Sequence, residues 1–509
     1  MEQTDTSKVE IKIYKIVSYV LILGGIFLRL DKYFMGRSFR GDEVALALDV
    51  IHRSIFDLLT KPLDNQVAPM GFLVLTKLLI SVLGNSDYVF RLLPLIAGCA
   101  SVVLVYVLSK KITGIHGTIF VLAGFVLNSS LIIYSSDFKQ YSSDVLIAVL
   151  LYLCAANYLQ SPTKQSLYIL GVVGLLAILC SHPAIFIAGS ISLLLLVFHR
   201  KDKQKLVWIV ILSSIWAGLF ISLYFVFFRP IGNNASLNST LLEHWDSVNA
   251  LMPIPPWEDL SWYPTRIGGL FTTLLGLPPF AWFEAFIFLI GLGSFYLQKR
   301  WEWIIAFTAP IILTMLASGA INYPFKGRLI FFLIPGLLIV LGEGLQRIFQ
   351  LLIRNKWLAY AVWLPLLLFL LSTPLQSANT ILTSARSYPF DEDIKPVLEY
   401  IRENGQPGDL IYLYYGGRAT FDYYRSLYGL IGQNIIYGQD TQKTPQNFSK
   451  EFDTFPKDRR IWFIFSHVQT KHGMDERIFI TDYIEKSGGQ LLDEYDAGAV
   501  SFGYLYMLK

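Results

Sequence analysis

The chain has 509 residues, of which 54% are hydrophobic and only 16% charged, and its mean hydropathy is +0.49. A soluble protein of this length needs a more polar surface, so the composition indicates a polytopic membrane protein. The net charge of +4 is too small to suggest a nucleic-acid partner. Cys99, Cys154 and Cys180 all lie in apolar stretches, which argues against a disulfide framework or a cysteine zinc site.

Apolar stretches long enough to cross a bilayer, about 20 residues as a helix, recur along the first three quarters of the chain. The pattern predicts about eleven spans, at Ile16–Leu30, Tyr88–Leu108, Thr118–Tyr134, Val145–Leu159, Leu167–Cys180, Ala184–Phe198, Leu206–Phe228, Phe280–Leu297, Trp303–Ala317, Leu329–Leu345 and Leu358–Leu371. Met70–Leu83 is also apolar, but it is short and contains Lys77. We therefore interpret it as a helix lying in the membrane interface.

The basic connectors between these spans sort to one side of the membrane. If the N-terminus is cytoplasmic, the following connectors all face the cytoplasm: Lys110–Lys111, Lys164, His199–Lys205, Lys299–Arg300 and Arg347–Lys356. This arrangement satisfies the positive-inside rule. One kinked helix over residues 167–198 is the alternative to two short spans, but it would place His199–Lys205 outside.

The odd number of spans predicts that the tail lies outside the cytoplasm. We expect a membrane domain at residues 1–372, with a first extracytoplasmic loop at about 31–87, and an extracytoplasmic α/β domain at residues 373–509. The predicted elements of the tail are helices at Asp391–Asn404 and Met474–Ser487 and strands at Leu410–Tyr415, Arg460–Ser466 and Ala499–Leu508. Alternating helices and strands favour a mostly parallel sheet, and no full glycine fingerprint for a nucleotide is present.

An acidic pair, Asp42–Glu43, follows the first span shortly after Arg40–Gly41. An exposed acidic turn is the simplest interpretation. The pair nevertheless opens a loop rich in interfacial helix signals, and a carboxylate near lipid is partly desolvated, which makes it a better base. The pair is therefore a candidate catalytic site.

A run of aromatic and charged residues lies at the outer end of the third predicted span. It contains Tyr134, Asp137, Lys139 and Tyr141. An aromatic belt with a salt-bridged pair explains such a run without a function. The functional interpretation is that Lys139 receives an anionic headgroup and that the two tyrosines frame it.

A second outer run, from Tyr323 to Arg328, comes immediately before a span and contains Lys326. Snorkelling of the two cations to the interface is the simple explanation. Cations on this side run against the positive-inside trend, however, and phosphate is an anion that Lys and Arg bind well.

Two weaker candidates lie on the same side. Arg91, in the sequence Arg91-Leu-Leu-Pro94, is another cation at the start of a span, although a snorkelling anchor explains it equally well. The loop 229–265 contains His244 and Trp245 among other aromatics and carboxylates. That mixture suits sugar stacking, and it also suits an ordinary interfacial loop.

Taken together, these motifs resemble those of the GT-C superfamily of membrane glycosyltransferases. The similarity is greatest to the branch that includes protein O-mannosyltransferases and the aminoarabinose transferase of lipid A. In order along the chain, the matching motifs are Asp42–Glu43, Ala68–Pro69–Met70, Arg91–Pro94, the run Tyr134 to Tyr141 and the run Tyr323 to Arg328. Each motif is degenerate alone, so the resemblance depends on their order and their shared side, over about the first 370 residues.

The chain departs from the family pattern at three positions. Asp137 and Lys139 replace the commoner Glu and Arg, and Ala68 stands where relatives often have Lys or His. One contact to the phosphate or the donor is therefore left open by the resemblance.

The resemblance implies an inverting glycosyltransferase that uses a polyprenyl-phosphate monosaccharide as donor and a hydroxyl acceptor linked to lipid, glycan or protein. In this hypothesis Asp42 removes the proton of the acceptor hydroxyl, and Glu43 orients the acceptor. The departing phosphate is stabilised by Lys139, Lys326 and Arg328, with Arg91 as a further candidate. Tyr134, Asp137, Tyr141, Tyr323, His244 and Trp245 are the candidate substrate contacts.

The sequence leaves three other functions open. One is a glycan polymerase or ligase with a diphosphate-linked donor, and another is a transporter or flippase. Transporters usually carry ionisable residues near mid-bilayer and often show internal repeats. In this sequence the predicted spans are nearly free of charge in their middle, and no internal repeat is found. The third is a membrane scaffold whose outer domain binds a partner.

The glycosyltransferase hypothesis requires no cofactor and no metal, although Glu and His side chains in the loops could bind a divalent ion. It places the enzyme in a bacterial inner membrane with its active site facing outwards.

Overall fold

The computed structural model describes residues 2–63, 66–229, 245–321, 323–383, 392–430, 434–439, 445–468, 470–471, 474–498 and 501–508. The chain divides into two compact units. The first, here called the membrane unit, comprises Met1–Phe34 and Val50–Leu382. The second comprises Met35–Asp49 and Thr383–Lys509, so the segment that carries the acidic pair belongs to the same unit as the C-terminal residues.

All regular elements among the described residues of the membrane unit are helices. The helices, including α2, which extends across the division between the units, are α1 (Glu2–Phe34), α2 (Gly41–His52), α3 (Ile55–Thr60), α4 (Met70–Leu83), α5 (Asp87–Ile112), α6 (Ile115–Leu127), α7 (Ser129–Ile133), α8 (Tyr141–Gln160), α9 (Lys164–Cys180), α10 (Ala184–Phe198), α11 (Lys203–Leu223), α12 (Trp262–Gly269), α13 (Ala281–Leu297), α14 (Trp301–Ile321), α15 (Ile334–Leu352) and α16 (Lys356–Thr383).

Within the described residues, seven helices are long and apolar enough to cross a membrane, or eight if the bent pair α6–α7 is one span. The chain is therefore an integral membrane protein, as the composition predicts. Of the remaining predicted spans, three coincide with the shorter apolar helices α9, α10 and α13. The number of eleven spans and the orientation of the N-terminus remain predictions.

The third predicted span is a bent pair of helices rather than one straight helix. The two parts, Ile115–Leu127 and Ser129–Ser136, meet at an angle of 57°. Asn128 causes the break, since its side-chain oxygen accepts the backbone N–H of Leu131 at 3.0 Å and so begins α7 as an N-cap. Its amide group donates to the carbonyl of Leu274 at 3.0 Å, which fixes the bend against another segment.

Helix α15 lies in the interior of the membrane unit, since 94% of the most apolar 18 residues in the segment Gly327–Leu352 are buried. Glycines allow its backbone to approach two neighbours closely. A Cβ at Gly117 would lie 2.5 Å from the carbonyl oxygen of Gly342, and one at Gly291 would lie 2.0 Å from that of Val340. Small residues at helix contacts are the usual means of tight packing in membranes, so these positions fix α15 against α6 and α13.

Helix α4 is the apolar segment for which the sequence predicts an interfacial position. It begins after Pro69 and ends at Gly84, whose φ of +87° favours glycine. The ammonium group of Lys77 donates to the carbonyls of Val50 and Ile51 at 2.8 and 2.9 Å. These are last-turn carbonyls of α2, where a cation also meets the negative end of the helix dipole, which explains how an apolar helix accommodates Lys77.

The second unit contains a five-stranded sheet with helices. Its elements after α16 are α17 (Lys395–Asn404), β1 (Leu410–Leu413), α18 (Arg418–Tyr424), β2 (Ile435–Tyr437), α19 (Pro445–Phe452), β3 (Arg459–Ser466), β4 (Thr470–Lys471), β5 (Met474–Asp475), α20 (Glu476–Lys486), β6 (Gln490–Asp496) and β7 (Ser501–Leu508). The strand order is β2-β1-β3-β7-β6, and β4 and β5 form a separate two-stranded ribbon.

The prediction of a mostly parallel sheet is correct for only part of this sheet. Strand β1 runs parallel to β2 and β3, but β7 is antiparallel to β3 and to β6. The sequence analysis missed β2 and β6. Strand β2 has only three residues, and β6 is a largely exposed edge strand that contains Asp493, Glu494 and Asp496. Short or charged edge strands lack the buried apolar run that identifies a central strand.

Candidate active site

The run from Tyr134 to Tyr141 connects the bent pair of helices to α8. Phe138 anchors it, since its ring is fully buried and lies 4.9 Å from the ring of Phe90 and 5.7 Å from that of Phe72. Gly98 of α5 allows a close approach, because a Cβ there would lie 2.7 Å from the Cβ of Ser135. The packing of apolar and small residues therefore fixes the polar residues of this run.

Lys139 is the cation of this run, and only 4% of it is exposed. Its ammonium group donates to the side-chain oxygen of Gln66 at 2.6 Å. The amide accepts the hydrogen bond without adding a negative charge, so this contact orients Lys139 without neutralising it. A buried ammonium group is a strong partner for an anion, because few water molecules compete with it.

The two tyrosines of the run lie beside Arg328. The rings of Tyr134 and Tyr141 meet edge to face at 5.4 Å, and Phe331 packs on Tyr134 at 5.1 Å. The guanidinium carbon of Arg328 lies 5.3 Å from the centre of the Tyr141 ring, as in a cation–π contact. The structure thus brings Tyr134, Tyr141 and Arg328 together, although they are almost 200 positions apart in the sequence.

Tyr323 adjoins the same group. Its hydroxyl donates to the carbonyl of Leu329 at 2.8 Å, and its ring meets Phe186 at 5.2 Å. Burial raises the pKa of the Tyr323 hydroxyl well above its usual range, and the nearby Asp144 and Tyr141 raise it further. The hydroxyl therefore stays protonated and acts as a neutral hydrogen-bonding group.

Lys326 has a different neighbour. Its ammonium group donates to the carbonyl of Val248 at 3.0 Å, and the same carbonyl accepts from Arg266 at 2.9 Å. Burial lowers the pKa of Lys326, and the charge of Arg266 lowers it further. The structure therefore pairs Lys326 with Arg266 around one carbonyl, an association that the sequence analysis missed.

Two further candidates of the membrane unit, Arg91 and Asp137, are buried. Arg91 is 2% exposed near the start of α5, and Asp137 is fully buried. The backbone carbonyl of Asp137 accepts the N–H of Lys139 at 2.7 Å, so Asp137 shapes the backbone beside the cation.

The acidic pair lies at the start of α2, in the second unit. Glu43 is fully buried and accepts from Arg37 at 3.0 Å and from the backbone N–H of Arg40 at 3.0 Å. Asp42 differs, because 29% of its side chain is exposed and its oxygen lies 3.9 Å from the nearest guanidinium nitrogen of Arg40. The two neighbouring carboxylates therefore have different environments.

The segment before the pair is fixed by the C-terminal residues of the same unit. Ser38 donates through its hydroxyl to the carbonyl of Glu392 at 2.6 Å and through its backbone N–H to Asp393 at 3.0 Å. The backbone N–H of Phe39 donates to the hydroxyl of Tyr424 at 2.8 Å. These bonds join positions more than 350 residues apart and hold the start of α2 within the second unit.

Two predicted site residues contribute less. His244 lies outside the described residues. Trp245 is half-buried, and its carbonyl accepts the N–H of Ala250 at 2.8 Å in a short turn of the membrane unit. In the part of the chain that the structure describes, no group of three or more His, Cys, Asp or Glu side chains has an arrangement that could hold a metal ion.

Gln66 and Arg266 are the site residues that sequence reasoning missed. Gln66 lies outside the charged and aromatic runs, and Arg266 directly follows the aromatic loop 229–265. They are assigned because Gln66 accepts from Lys139 and Arg266 donates to the same carbonyl as Lys326. A weak signal for Gln66 is its position just before the Ala68–Pro69–Met70 motif.

The described helices and sheet define a polytopic membrane protein with a C-terminal mixed sheet. A comparison with solved structures finds a similar fold in membrane glycosyltransferases. The aminoarabinose transferase ArnT from Cupriavidus metallidurans, in the apo state, has a TM-score of 0.51 and 10% identity, with 98% of each chain covered. The oligosaccharyltransferase AglB from Archaeoglobus fulgidus, in the apo form, has a TM-score of 0.51 and 12% identity, with 96% of this chain and 74% of that chain covered.

The same archaeal enzyme also matches in a complex with an inhibitory peptide and a dolichol-phosphate, again at a TM-score of 0.51 and 12% identity. No protein-family model matches the chain, and no curated protein sequence matches it. At these identities the likeness establishes the fold. The resemblance to GT-C membrane glycosyltransferases that the motifs predict is thereby confirmed for the fold.

Proposed function

We propose that this protein is an inverting glycosyltransferase that moves a monosaccharide from a polyprenyl-phosphate donor to a hydroxyl acceptor at the extracytoplasmic side of the membrane. The observation that carries the proposal is the shared fold with ArnT across 98% of both chains. The dolichol-phosphate in a complex of AglB supports a lipid-phosphate donor. The acceptor is a hydroxyl linked to lipid, glycan or protein.

The cations of the membrane unit are suited to the donor phosphate. In the reaction the bond between the anomeric carbon and the phosphate oxygen breaks, and the bonding electrons leave with the phosphate. Negative charge therefore grows on that oxygen in the transition state, where positioned cations have their largest effect. Lys139 and Arg328 fit this role, because Lys139 is buried and Arg328 lies over the Tyr141 ring.

Asp42 is our candidate for the general base. It accepts the proton of the acceptor hydroxyl while the acceptor oxygen forms its bond to the anomeric carbon from the opposite face, which inverts the configuration. Its exposure leaves the carboxylate accessible to an acceptor. Glu43 is buried and bonded to Arg37 and to the backbone of Arg40, so we assign it the role of positioning Asp42 at the start of α2.

The experiment that tests this function measures transfer with purified full-length protein and radiolabelled donors. One donor carries the sugar on a polyprenyl phosphate, and a matched donor carries it on a polyprenyl diphosphate. We expect transfer from the monophosphate donor, with release of polyprenyl phosphate and an inverted linkage in the product. Transfer only from the diphosphate donor would establish the polymerase or ligase function instead.

The transporter alternative is tested with the same protein in liposomes. A flippase moves the labelled lipid between leaflets without forming a new glycosidic bond. Accessible label that appears without any glycosylated acceptor would therefore overturn the transferase proposal.

A further inference from the structure

A cavity in the membrane unit lies at the junction of α1, α5 and α6. Its volume is about 200 Å³, smaller than the roughly 300–1,000 Å³ of pockets that enclose a drug-sized ligand. It therefore fits a small headgroup better than a whole lipid. Two of the lining residues are Lys15, near the start of the apolar part of α1, and Lys110, near the end of α5. The cavity is therefore at a membrane–water boundary.

The cavity and the candidate active site of the membrane unit lie at opposite ends of the same helices. Arg91 is near the start of α5 and Lys110 near its end, about 28 Å apart along the axis at 1.5 Å per residue. Ile115, the first residue of α6, lines the cavity, whereas the run that begins at Tyr134 follows α7, beyond the far end of α6. The hydrocarbon core of a bilayer is about 30 Å thick, so the two sites face opposite sides of it.

Two lysines give the cavity a positive charge. Among the described residues that line it, Lys15 and Lys110 are the charged ones, and none is a carboxylate. The ammonium group of Lys110 lies 5.1 Å from the centre of the Tyr106 ring, a cation–π contact that orients the lysine and leaves its charge in place. Glu10, an acidic residue earlier in α1, is paired with Lys356 at 3.6 Å. The cavity therefore attracts an anion.

The wall of the cavity is fixed by aromatic packing. The ring of Tyr14, which lines the cavity, meets His116 edge to face at 5.2 Å, and His116 stacks on Phe349 at 3.6 Å. The backbone N–H groups of His116 and Gly117 donate to the side-chain oxygen of Gln346 at 3.1 and 3.3 Å. Because these first-turn groups of α6 already have a partner, the two lysines are the main donors to an anion in the cavity.

We propose that this cavity binds the phosphate headgroup of an anionic phospholipid, in the leaflet opposite the candidate active site. Basic pockets between transmembrane helices are a recurrent means of binding anionic lipid headgroups. Ile11 and Ile115, which line the same cavity, are 45% and 43% exposed, and exposed apolar side chains suit the acyl chains of a lipid and not a free phosphate ion. The site is independent of the proposed function. A lipid bound there joins α1 to α5 and α6.

The test counts the lipids that the full-length protein retains. The protein is reconstituted in nanodiscs with equal amounts of phosphatidylglycerol and phosphatidylcholine, and retained lipids are identified by native mass spectrometry. We expect a preference for phosphatidylglycerol that falls about 30-fold in the double variant Lys15→Gln, Lys110→Gln. The double variant Lys164→Gln, Lys201→Gln removes the same charge from exposed lysines of other connectors and should keep the preference. An equal loss in both variants would overturn the proposal.

Two further variants separate the cavity from its charge. Lys15→Arg with Lys110→Arg keeps both charges and should retain the preference for phosphatidylglycerol. Ile115→Trp keeps both lysines but fills the cavity, so we expect it to remove the preference. A preference that survives Ile115→Trp would show that the lipid binds elsewhere. Inorganic phosphate in millimolar excess should leave the bound lipid in place, and its displacement would assign the site to a free phosphate ion and contradict the inference.

Discussion

The contacts described for three cations of the membrane unit differ in kind from the ion pairs of two carboxylates in the second unit. Lys139 contacts an amide oxygen, Lys326 a backbone carbonyl and Arg328 an aromatic ring, and none of these three contacts cancels the positive charge. In the second unit, by contrast, Glu43 is bonded to Arg37 and Glu392 to His467. A contact with a neutral group leaves the charge of a cation unchanged, whereas an ion pair within one unit suits a residue that holds the backbone in place.

This comparison assigns the two acidic neighbours to different roles, and the largest expected effect is at Asp42. A general base contributes about 10²–10⁴-fold to a rate, so Asp42→Asn should lower turnover by that factor while the protein folds and inserts normally. The measurement is transfer of labelled sugar under saturating donor. Asp453→Asn, an exposed carboxylate of the same unit, should retain full turnover, and a near-normal rate of Asp42→Asn would remove the base assignment.

The next effect tests the cation that contacts an amide. Lys139→Met should lower turnover by about 10²-fold, since removal of one positioned donor to a developing negative charge has that effect. Lys111 offers a matched control, because it donates to the side chain of Gln160 at 3.0 Å in an exposed contact of the same kind. If Lys111→Met reduces transfer as much as Lys139→Met, the loss reflects structure and not phosphate binding.

A third prediction concerns stability. Glu43→Gln leaves Arg37 without its buried partner, and breaking a buried ion pair typically costs about 3–5 kcal/mol. We expect the free energy of unfolding of the second unit to fall by about 3 kcal/mol, measured by urea unfolding in detergent. Glu399→Gln removes an exposed pair with Arg402 and should cost under about 1 kcal/mol. Equal stability of the two variants would show that Glu43 does not hold the segment.

The smallest effect is expected at Lys326. Burial and Arg266 lower its pKa, so Lys326 loses its charge at a lower pH than an ordinary lysine. The KM of the donor should therefore rise as the pH increases into the alkaline range, by about threefold, the size of a partly exposed charge interaction. Lys326→Arg stays charged and should give a flatter profile. A wild-type KM that is constant with pH would indicate that Lys326 does not contact the phosphate.

Much of the membrane unit could be predicted because a helix that crosses the bilayer needs about 20 mostly apolar residues. Each of the eleven predicted spans overlaps a described helix, although their number as membrane spans remains a prediction, and Met70–Leu83 is a helix with the predicted bounds. The bend at Asn128 was not predicted, since a single polar residue in an apolar stretch does not reveal that its side chain caps a new helix. In the second unit, the central strands β1, β3 and β7 were predicted from their buried apolar runs, and the edge strands were not.

The sequence by itself determined that the chain is a helical membrane protein and which charged and aromatic runs are candidates for chemistry, because hydrophobicity and charge sorting are local properties. The tertiary structure alone decided which partners those residues have. Gln66 is bonded to Lys139, Glu392 is bonded to His467, and Arg266 and Lys326 donate to one carbonyl. Each of these arrangements joins segments far apart in the chain. Such contacts depend on packing in three dimensions, and no spacing within one segment encodes them.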